Sequence, residues 1–131
     1  MYQFEIYSKP VPQKQTQWGK HGCWDPSKKD KEALIWQMSP YAPETPFFGP
    51  AEVDLMFYLP IPVSTSKSAR NSMINGIVLP IKKPDVDNLG YIVTNAMQNL
   101  FYRTDAQIVD LHLHKRYAEV PRTVVKIIPR G

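Results

Sequence analysis

Two aspartates, Asp85 and Asp87, stand one residue apart in the stretch KKPDVDNLGY, residues 82–91. Pro84 disfavours a helical conformation at the residue before it, and a helix that begins at Asp87 or Asn88 leaves both acids on its N-terminal approach. Such carboxylates can turn toward one point, and the positive helix end favours their ionised form. Mg²⁺ takes one or two protein carboxylates together with substrate phosphates, so the pair is a candidate metal site. Judged from the pair alone, an N-cap with a solvated neighbour is favoured over a metal site.

A third aspartate, Asp105, stands at the turn between this helix and the next strand, in FYRTDAQIVD. If that strand runs back along the helix, Asp105 lies at the far end from Asp87, so only a particular topology brings the acids together. A calcium loop of the EF-hand type is disfavoured, because Leu89 and Ala96 stand at its ligand positions 5 and 12.

The chain is basic, with 16 Lys and Arg against 12 Asp and Glu and a net charge of +4, which favours a polyanionic partner. Acid within a basic chain is expected where metal ions bring a phosphate backbone close to carboxylates. The candidate phosphate contacts are Lys14, Lys20, Lys67, Arg70, Lys83, Lys115 and Arg116. The last two have the best positional argument, because they end the strand that follows Asp105.

Several other polar and aromatic residues have less specific roles. His112 and His114 share one face of a strand, but no third ligand stands at zinc-like spacing, so we expect them to face solvent or a partner. Trp36 is predicted to be a core residue of a helix. Trp18 and Trp24 are left open, as aromatic rings that could stack on bases. The single cysteine is expected to be an incidental thiol in a reducing compartment.

The 131 residues fit one domain, residues 1–131, that can build a single core. No apolar run approaches the roughly 18 residues that a membrane span needs, and the polar start lacks the apolar region of a signal peptide. We therefore expect a cytoplasmic protein with no membrane partner.

Periodicity predicts an α/β (α+β) fold. Its clearest signal is an amphipathic helix from Asp87 to Leu100. The other predicted elements are a first strand at 2–8, a long loop at 9–24, a helix after Asp25, a strand at 51–59, and strands at 107–117 and 122–129. Residues 60–80 are predicted to form a short helix or a mobile loop, and the mobile loop is favoured. The last two strands are joined by a short connection, which predicts an antiparallel C-terminal hairpin.

The C-terminal half resembles the RusA-type Holliday junction resolvases, a family common in phages and prophages. The shared features are K-P-D-x-D-N-L, a helix of fitting length, the D-A-Q-I-V-D segment and a closing K-R-Y-x-E-x-P-R, strongest over residues 82–127. The resemblance implies a small mixed β-sheet with flanking helices, a homodimer in a bacterial or phage-infected cell, and Mg²⁺-dependent cleavage of branched DNA, with Mn²⁺ as an alternative ion. It maps the catalytic and metal-binding acids onto Asp85, Asp87 and Asp105, and implies that the fold brings them together.

Two positions depart from the family pattern. Tyr91 stands where a lysine is common, with Lys83 and Lys115 as candidate substitutes, and Thr104 stands where a second acid is common. The resemblance thus implies a magnesium-dependent nuclease that resolves four-way junctions by paired symmetric incisions in recombination and repair. The alternatives are a catalytically silent DNA-binding protein of the same fold and a nuclease for flaps or forks.

Overall fold

The computed structural model describes residues 1–20 and 22–131 as a mixed α+β fold. The strands are β1 (Tyr2–Ile6), β2 (Gln17–Gly19), β3 (Gly22–Trp24), β4 (Ala51–Pro60), β5 (Ile108–Ala118) and β6 (Arg122–Pro129). The helices are α1 (Lys28–Met38), α2 (Lys67–Ile74) and α3 (Val86–Ala96), with 3₁₀ turns at Ser39–Tyr41 and Asp105–Gln107. In the described part of the chain, no helix has the length and apolar character needed to cross a membrane.

The main sheet has the strand order β1-β6-β4-β5. β6 is antiparallel to both β1 and β4, and β5 is parallel to β4. The predicted C-terminal hairpin is therefore wrong, since β4 lies between β5 and β6. Every second residue of β4 is buried, which explains its central place: the strand with the most continuous apolar face gains most from having neighbours on both sides.

The core lies between one face of this sheet and helices α1 and α3. The buried residues of α3 include Leu89, Ile92, Val93 and Ala96. This confirms the predicted amphipathic helix, which begins at Val86 and ends at Ala96, short of the expected Leu100. Asn99 follows with a positive φ of 65°, a backbone conformation that no helix continues.

Gly90 allows α3 to lie close to β5. A Cβ atom at this position would stand 2.6 Å from Cδ1 of Leu113, far inside normal contact. A larger residue here would have to displace the Leu113 side chain, so the glycine favours close packing of the helix on the sheet. This contact places the middle of α3 over the middle of β5.

One prediction outside the sheet is wrong. Trp36 is 80% exposed, because α1 buries Leu34 and Met38, and a residue midway between them points to the opposite side of the helix. Of the two forms predicted for residues 60–80, the chain adopts the short helix, α2, whose first turn is capped by Ser66 accepting a hydrogen bond from the Ala69 amide at 3.3 Å.

Aromatic residues close the core beyond the C-terminal end of α3. Phe101 and Tyr102 are fully buried, and the Tyr102 hydroxyl donates to the Thr94 carbonyl at 2.6 Å. The Phe101 ring lies 5.5 Å from that of Phe4 and 5.4 Å from that of Tyr2. Burial raises the pKa of the Tyr102 phenol above its usual range, so the hydroxyl remains a donor.

Candidate functional site

The chain leading into α3 presents the first of the paired acids. Asp85 is the N-cap residue, with extended backbone angles, and its carbonyl accepts the Leu89 amide at 3.1 Å. Within the described residues, its carboxylate accepts no capping hydrogen bond from the helix. Instead it lies 3.3 Å from the Lys83 ammonium, with its side chain half exposed. The backbone of Asp85 starts the helix, and its carboxylate stays accessible.

Asp87 lies in the first turn of α3, where its Oδ1 accepts the Asn88 amide at 3.0 Å. Its side chain is exposed. A carboxylate has about four acceptor sites, so most of its capacity is unused. The two acids thus lie within one turn of each other at the positive end of the helix dipole, as the sequence predicted.

Lys115 on β5 hydrogen-bonds to the segment that precedes α3 and so holds that segment on the sheet. Its Nζ donates to the carbonyl oxygens of Lys82 and Pro84, both at 3.0 Å. An ammonium has three donors, so one is left for a phosphate or a carboxylate. Lys115 therefore positions the acidic segment and brings positive charge beneath it.

A cleft of about 580 Å³ opens beside Asp85, in the size range of small-ligand sites. Its walls combine apolar side chains with three lysines and two amides. They include Pro10, Pro12, Leu59, Pro60, Pro62, Pro80, Pro84 and Tyr117, together with Lys9, Lys82, Lys83, Gln13 and Asn88. The lysines can attract an anion into the cleft, and the apolar walls can shield the rest of such a ligand from water.

Asp105 lies at the other end of α3. It opens a 3₁₀ turn, and its amide donates to Gln98 Oε1 at 3.0 Å. Lys115 contacts the approach to Asp85, and Ile108 precedes Lys115 by seven strand residues, about 23 Å along β5. Asp105 therefore lies on the order of 20 Å from Asp85.

This separation bears on the implied acidic trio. Among residues 1–20 and 22–131, no three acidic, histidine or cysteine side chains form a group that could hold a metal ion. The fold of a single chain brings Asp85 and Asp87 together but not Asp105. The role of Asp105 stays a prediction that one copy alone does not satisfy.

The other predicted phosphate contacts are spread over several elements. Lys14 and Lys20 belong to the β2–β3 region, where Lys14 N donates to Ser27 Oγ at 2.8 Å. Lys67 begins α2, and Arg70 on the same helix lies 3.7 Å from Glu119.

The two basic residues at the end of β5 face opposite ways. Phe57 on β4, which is buried in the core, is opposite Lys115, whereas Tyr58 is opposite Arg116. Adjacent strand residues alternate between faces, so only Lys115 lies on the side of the acidic pair. The role of both residues as phosphate contacts stays a prediction, and the two would contact DNA from opposite faces of the sheet.

The two departures from the family pattern have local structural explanations. Tyr91 is half exposed one turn after Asp87, and the Lys31 ammonium lies 5.9 Å from its ring centre. Thus α1 supplies a cation next to the position where the family often has a lysine, a candidate that the sequence did not reveal. Thr104 caps the turn at Asp105, where its hydroxyl accepts the Ala106 amide at 3.3 Å.

His112 and His114 project from the other face of the sheet. Their Nε2 atoms lie 3.5 Å from Glu52 and 3.6 Å from Asp54, respectively. These carboxylates are the partners of the histidines within the chain, and the sequence did not predict them. The pair takes no part in the acidic site on the helical face.

Comparisons with known proteins identify a family that covers most of the chain. The family model described as Endodeoxyribonuclease RusA matches residues 8–128. The chain is also similar to the uncharacterized protein YqaN of Bacillus subtilis (strain 168), with 37% identity over 132 residues that cover 95% of this chain and 93% of that protein.

Proposed function

Because the chain belongs to the RusA endodeoxyribonuclease family, we propose that it is a homodimeric, divalent-metal-dependent nuclease that cuts four-way DNA junctions by paired symmetric incisions. Family membership implies endodeoxyribonuclease activity, and nucleases of this family generally depend on a divalent metal. The observation that carries the proposal is the accessible pair Asp85 and Asp87, set among lysines at the positive end of α3.

The paired carboxylates suit a hard divalent cation. They offer oxygen ligands on one exposed turn, and Mg²⁺ needs only one or two protein carboxylates when phosphates and waters fill its remaining positions. Asp85 and Asp87 would hold Mg²⁺, with Mn²⁺ as the alternative. When bound, the ion would lower the pKa of a water and neutralise charge on the leaving oxygen.

The lysines around the cleft would hold the DNA backbone next to these acids. Lys83 lies close enough to Asp85 to offset part of its repulsion toward phosphate, and Lys115 has one donor left after fixing the segment below. Lys9 and Lys82 add positive charge to the rim. These residues bind and orient the strand by its phosphates, so they read shape and charge rather than base sequence.

A second copy can supply Asp105. In the described part of the chain, β5 pairs only with β4, which leaves the outer edge of this 11-residue strand open. Val109 and Leu111, in its N-terminal half, are 61% and 46% exposed. α2 approaches the C-terminal end of β5 through Arg70 and Glu119. The free N-terminal half is a template for pairing with another strand.

Two-fold pairing of this edge would complete the site. If the axis passes near Leu111, antiparallel register puts position 105 of one copy opposite position 117 of the other. Tyr117 lines the cleft that contains Asp85. The same operation that buries Leu111 would thus bring Asp105 of one copy toward Asp85 and Asp87 of the other, at two equivalent sites that match a two-fold symmetric junction.

A mixed-dimer experiment tests this arrangement. Asp85→Asn and Asp105→Asn proteins are each assayed on an end-labelled four-way junction with Mg²⁺, then unfolded together, refolded and assayed again. Each variant alone is expected to cut about 10²–10³-fold more slowly. A composite site predicts that the mixture regains nicking of single strands, because each mixed dimer contains one intact site. A site within one chain predicts no recovery.

Two controls complete the design. Glu32→Gln changes an exposed acid of α1, away from both the acidic pair and the β5 edge, and should leave cleavage within about twofold of the parent, since surface substitutions away from a site have small effects. The parent protein is also assayed in EDTA. Tight junction binding without incision in Mg²⁺ or Mn²⁺ would contradict the nuclease and support a silent binding protein. A panel of flaps and forks separates the remaining alternative.

The salt dependence of binding provides an independent measurement. If Z phosphates are neutralised, log K should fall with log salt at a slope of about −0.9Z on duplex arms. A slope near zero would contradict DNA binding altogether.

A further inference from the structure

The segment predicted to be a long loop forms a short β-hairpin that exposes two indole rings. β2 and β3 pair with Gln17 opposite Trp24, Trp18 opposite Cys23 and Gly19 opposite Gly22. Trp18 is 80% exposed and Trp24 is 54% exposed. Each strand has three residues, too few to bury a core of its own. Packing within the chain therefore leaves most of Trp18 and about half of Trp24 uncovered.

The two indoles occupy opposite faces of the hairpin. Opposed residues of an antiparallel pair share a face, so Trp18 lies with Cys23, and Trp24 lies with Gln17 and Gly19. A Cβ atom at Gly19 would stand 2.8 Å from Cζ3 of Trp24, which shows that this ring lies directly over the glycine backbone. Gly19 thus holds Trp24 flat against the hairpin, while Trp18 projects freely on the other face.

The base of the hairpin is fixed beside the acidic pair. The Gln13 amide donates to the Asn88 carbonyl in the first turn of α3 at 2.9 Å. The Gln13 side chain donates to Asp25 Oδ1 at 3.0 Å, and the Lys14 amide donates to the buried Ser27 hydroxyl. The hairpin therefore extends from the same surface that carries Asp87.

The charge of this region favours a nucleic-acid ligand. Residues 6–24 contain no acid and include Lys9, Lys14 and Lys20. Aromatic rings interleaved with lysines form the usual platform for unpaired nucleotides, because every base has a face that stacks and every nucleotide has a phosphate. A fully paired duplex offers stackable base faces only at its ends, whereas a branch point exposes the base pairs where its arms meet.

We propose that Trp18 and Trp24 stack on DNA bases exposed at the branch point, so that the hairpin distinguishes branched from linear DNA beside the acidic pair. This role rests on the proposed nuclease function and specifies how its substrate is selected. Stacking rings recognise base faces that are not covered by a neighbouring base pair, whereas the lysines recognise phosphate in any duplex. The hairpin would thus supply structural selectivity, and the lysines general affinity.

The test measures binding in a background of Asp85→Asn, so that the DNA stays intact in Mg²⁺. Trp18→Ala and Trp24→Ala are titrated with a four-way junction and with a linear duplex of the same arm sequence. Each should weaken junction binding about tenfold and leave duplex binding within about twofold. Trp36→Ala is the matched control, since Trp36 is equally exposed on α1 and should bind both DNAs like the parent. Trp18→Phe, which keeps an aromatic face, should retain most of the junction affinity.

A second measurement reports stacking directly. 2-Aminopurine, whose fluorescence falls when it is stacked, is placed at the branch point or in the middle of an arm. The parent should change the fluorescence of the branch probe alone, and Trp18→Ala should reduce that change. Unchanged junction binding by both tryptophan variants, or equal losses on junction and duplex, would overturn the stacking role and leave the nuclease intact. Failure of the parent to bind any DNA would overturn both.

Discussion

The two ends of α3 use polar side chains in opposite ways. At the N-terminal end, backbone groups and Lys115 fix the chain, while the carboxylates of Asp85 and Asp87 remain accessible. At the C-terminal end, the side chains themselves hold the structure together. Gln107, for example, donates to the carbonyls of Phe47 and Gly49 and accepts the amides of Arg103 and Thr104.

This difference separates reactive groups from structural ones along a single helix. A carboxylate already satisfied by hydrogen bonds has less capacity for a cation, so a metal site benefits when its position is set by other groups. The C-terminal end must instead close the core over buried aromatic rings. Substitutions at the two ends should accordingly affect different measurements: catalysis at one end, stability at the other.

The largest expected effect on stability is at the C-terminal end of α3, where buried aromatic rings close the core. Phe101→Ala removes a fully buried ring that contacts Phe4 and Tyr2, and should lower the free energy of unfolding by about 3–5 kcal/mol. Urea denaturation measures the change. Phe48→Ala, which truncates a 75% exposed ring, should cost no more than about 0.5 kcal/mol. If both variants lost the same free energy of unfolding, burial of the Phe101 ring would not be what stabilises this end of the helix.

At the N-terminal end of α3, Asp87→Asn should slow junction cleavage about 10²–10³-fold, since it removes charge where the metal is proposed to bind. Its melting temperature should change little because the side chain is exposed. Single-turnover cleavage and thermal melting are measured on the same preparation. Asp30→Asn is the control, because Asp30 also lies in the first turn of a helix, α1, and should not change cleavage. A large loss of stability in Asp87→Asn with normal cleavage would show that Asp87 is a structural residue and not a catalytic one.

Tyr102→Phe tests the buried hydrogen bond at the C-terminal end of α3. The substitution removes the donor to the Thr94 carbonyl and leaves that oxygen without its partner in the core. We expect a loss of about 1–3 kcal/mol by urea denaturation. Tyr7→Phe is the comparison, since it deletes an exposed hydroxyl bound to Glu5 and should have a much smaller effect. A Tyr102→Phe protein as stable as the parent would show that the aromatic ring alone closes this end.

The smallest effect concerns the acid that holds the hairpin base. Asp25 accepts hydrogen bonds from the Lys31 ammonium at 2.6 Å and the Ser27 amide at 2.9 Å, which lower the pKa of its carboxyl. Its stabilising contribution is therefore complete above the unfolded pKa of about 3.9 and is lost as the pH falls through the lower folded value. Asp25→Asn should melt slightly below the parent at pH 7, and this difference should vanish near pH 2. A constant difference would exclude ionisation as its source.

Local sequence patterns predicted where helices and strands form better than they predicted which strands pair. The apolar spacing of α3 and the alternation of β4 follow from residues close in sequence, and both elements are present. The pairing of β5 with β6 was wrong because a short connection is typical of a hairpin, whereas insertion of β4 between them depends on burial across the whole sheet. Trp36 was assigned to the core although the buried stripe of α1 passes through Leu34 and Met38.

The acidic site shows the same limit. The spacing of Asp85 and Asp87 predicted two carboxylates on one turn, because it depends only on where a helix begins. The position of Asp105 depends on which way β5 runs, and the parallel pairing with β4 carries it to the other end of the helix. The lysine beside Tyr91 comes from α1, about 60 residues earlier in the chain, and no local pattern indicates it.

The strand order also determines when the protein can fold during synthesis. β4 acquires both of its neighbours from segments translated later, and β1 pairs only with β6. Residues 2–6 therefore leave the ribosome before their partners at 123–127 have been made. Until β6 emerges, β1 has no partner strand and β4 can pair only with β5, so their unpaired edges and apolar faces are open to aggregation. A ribosome that stalls before β6 would thus leave a nascent chain that depends on chaperones.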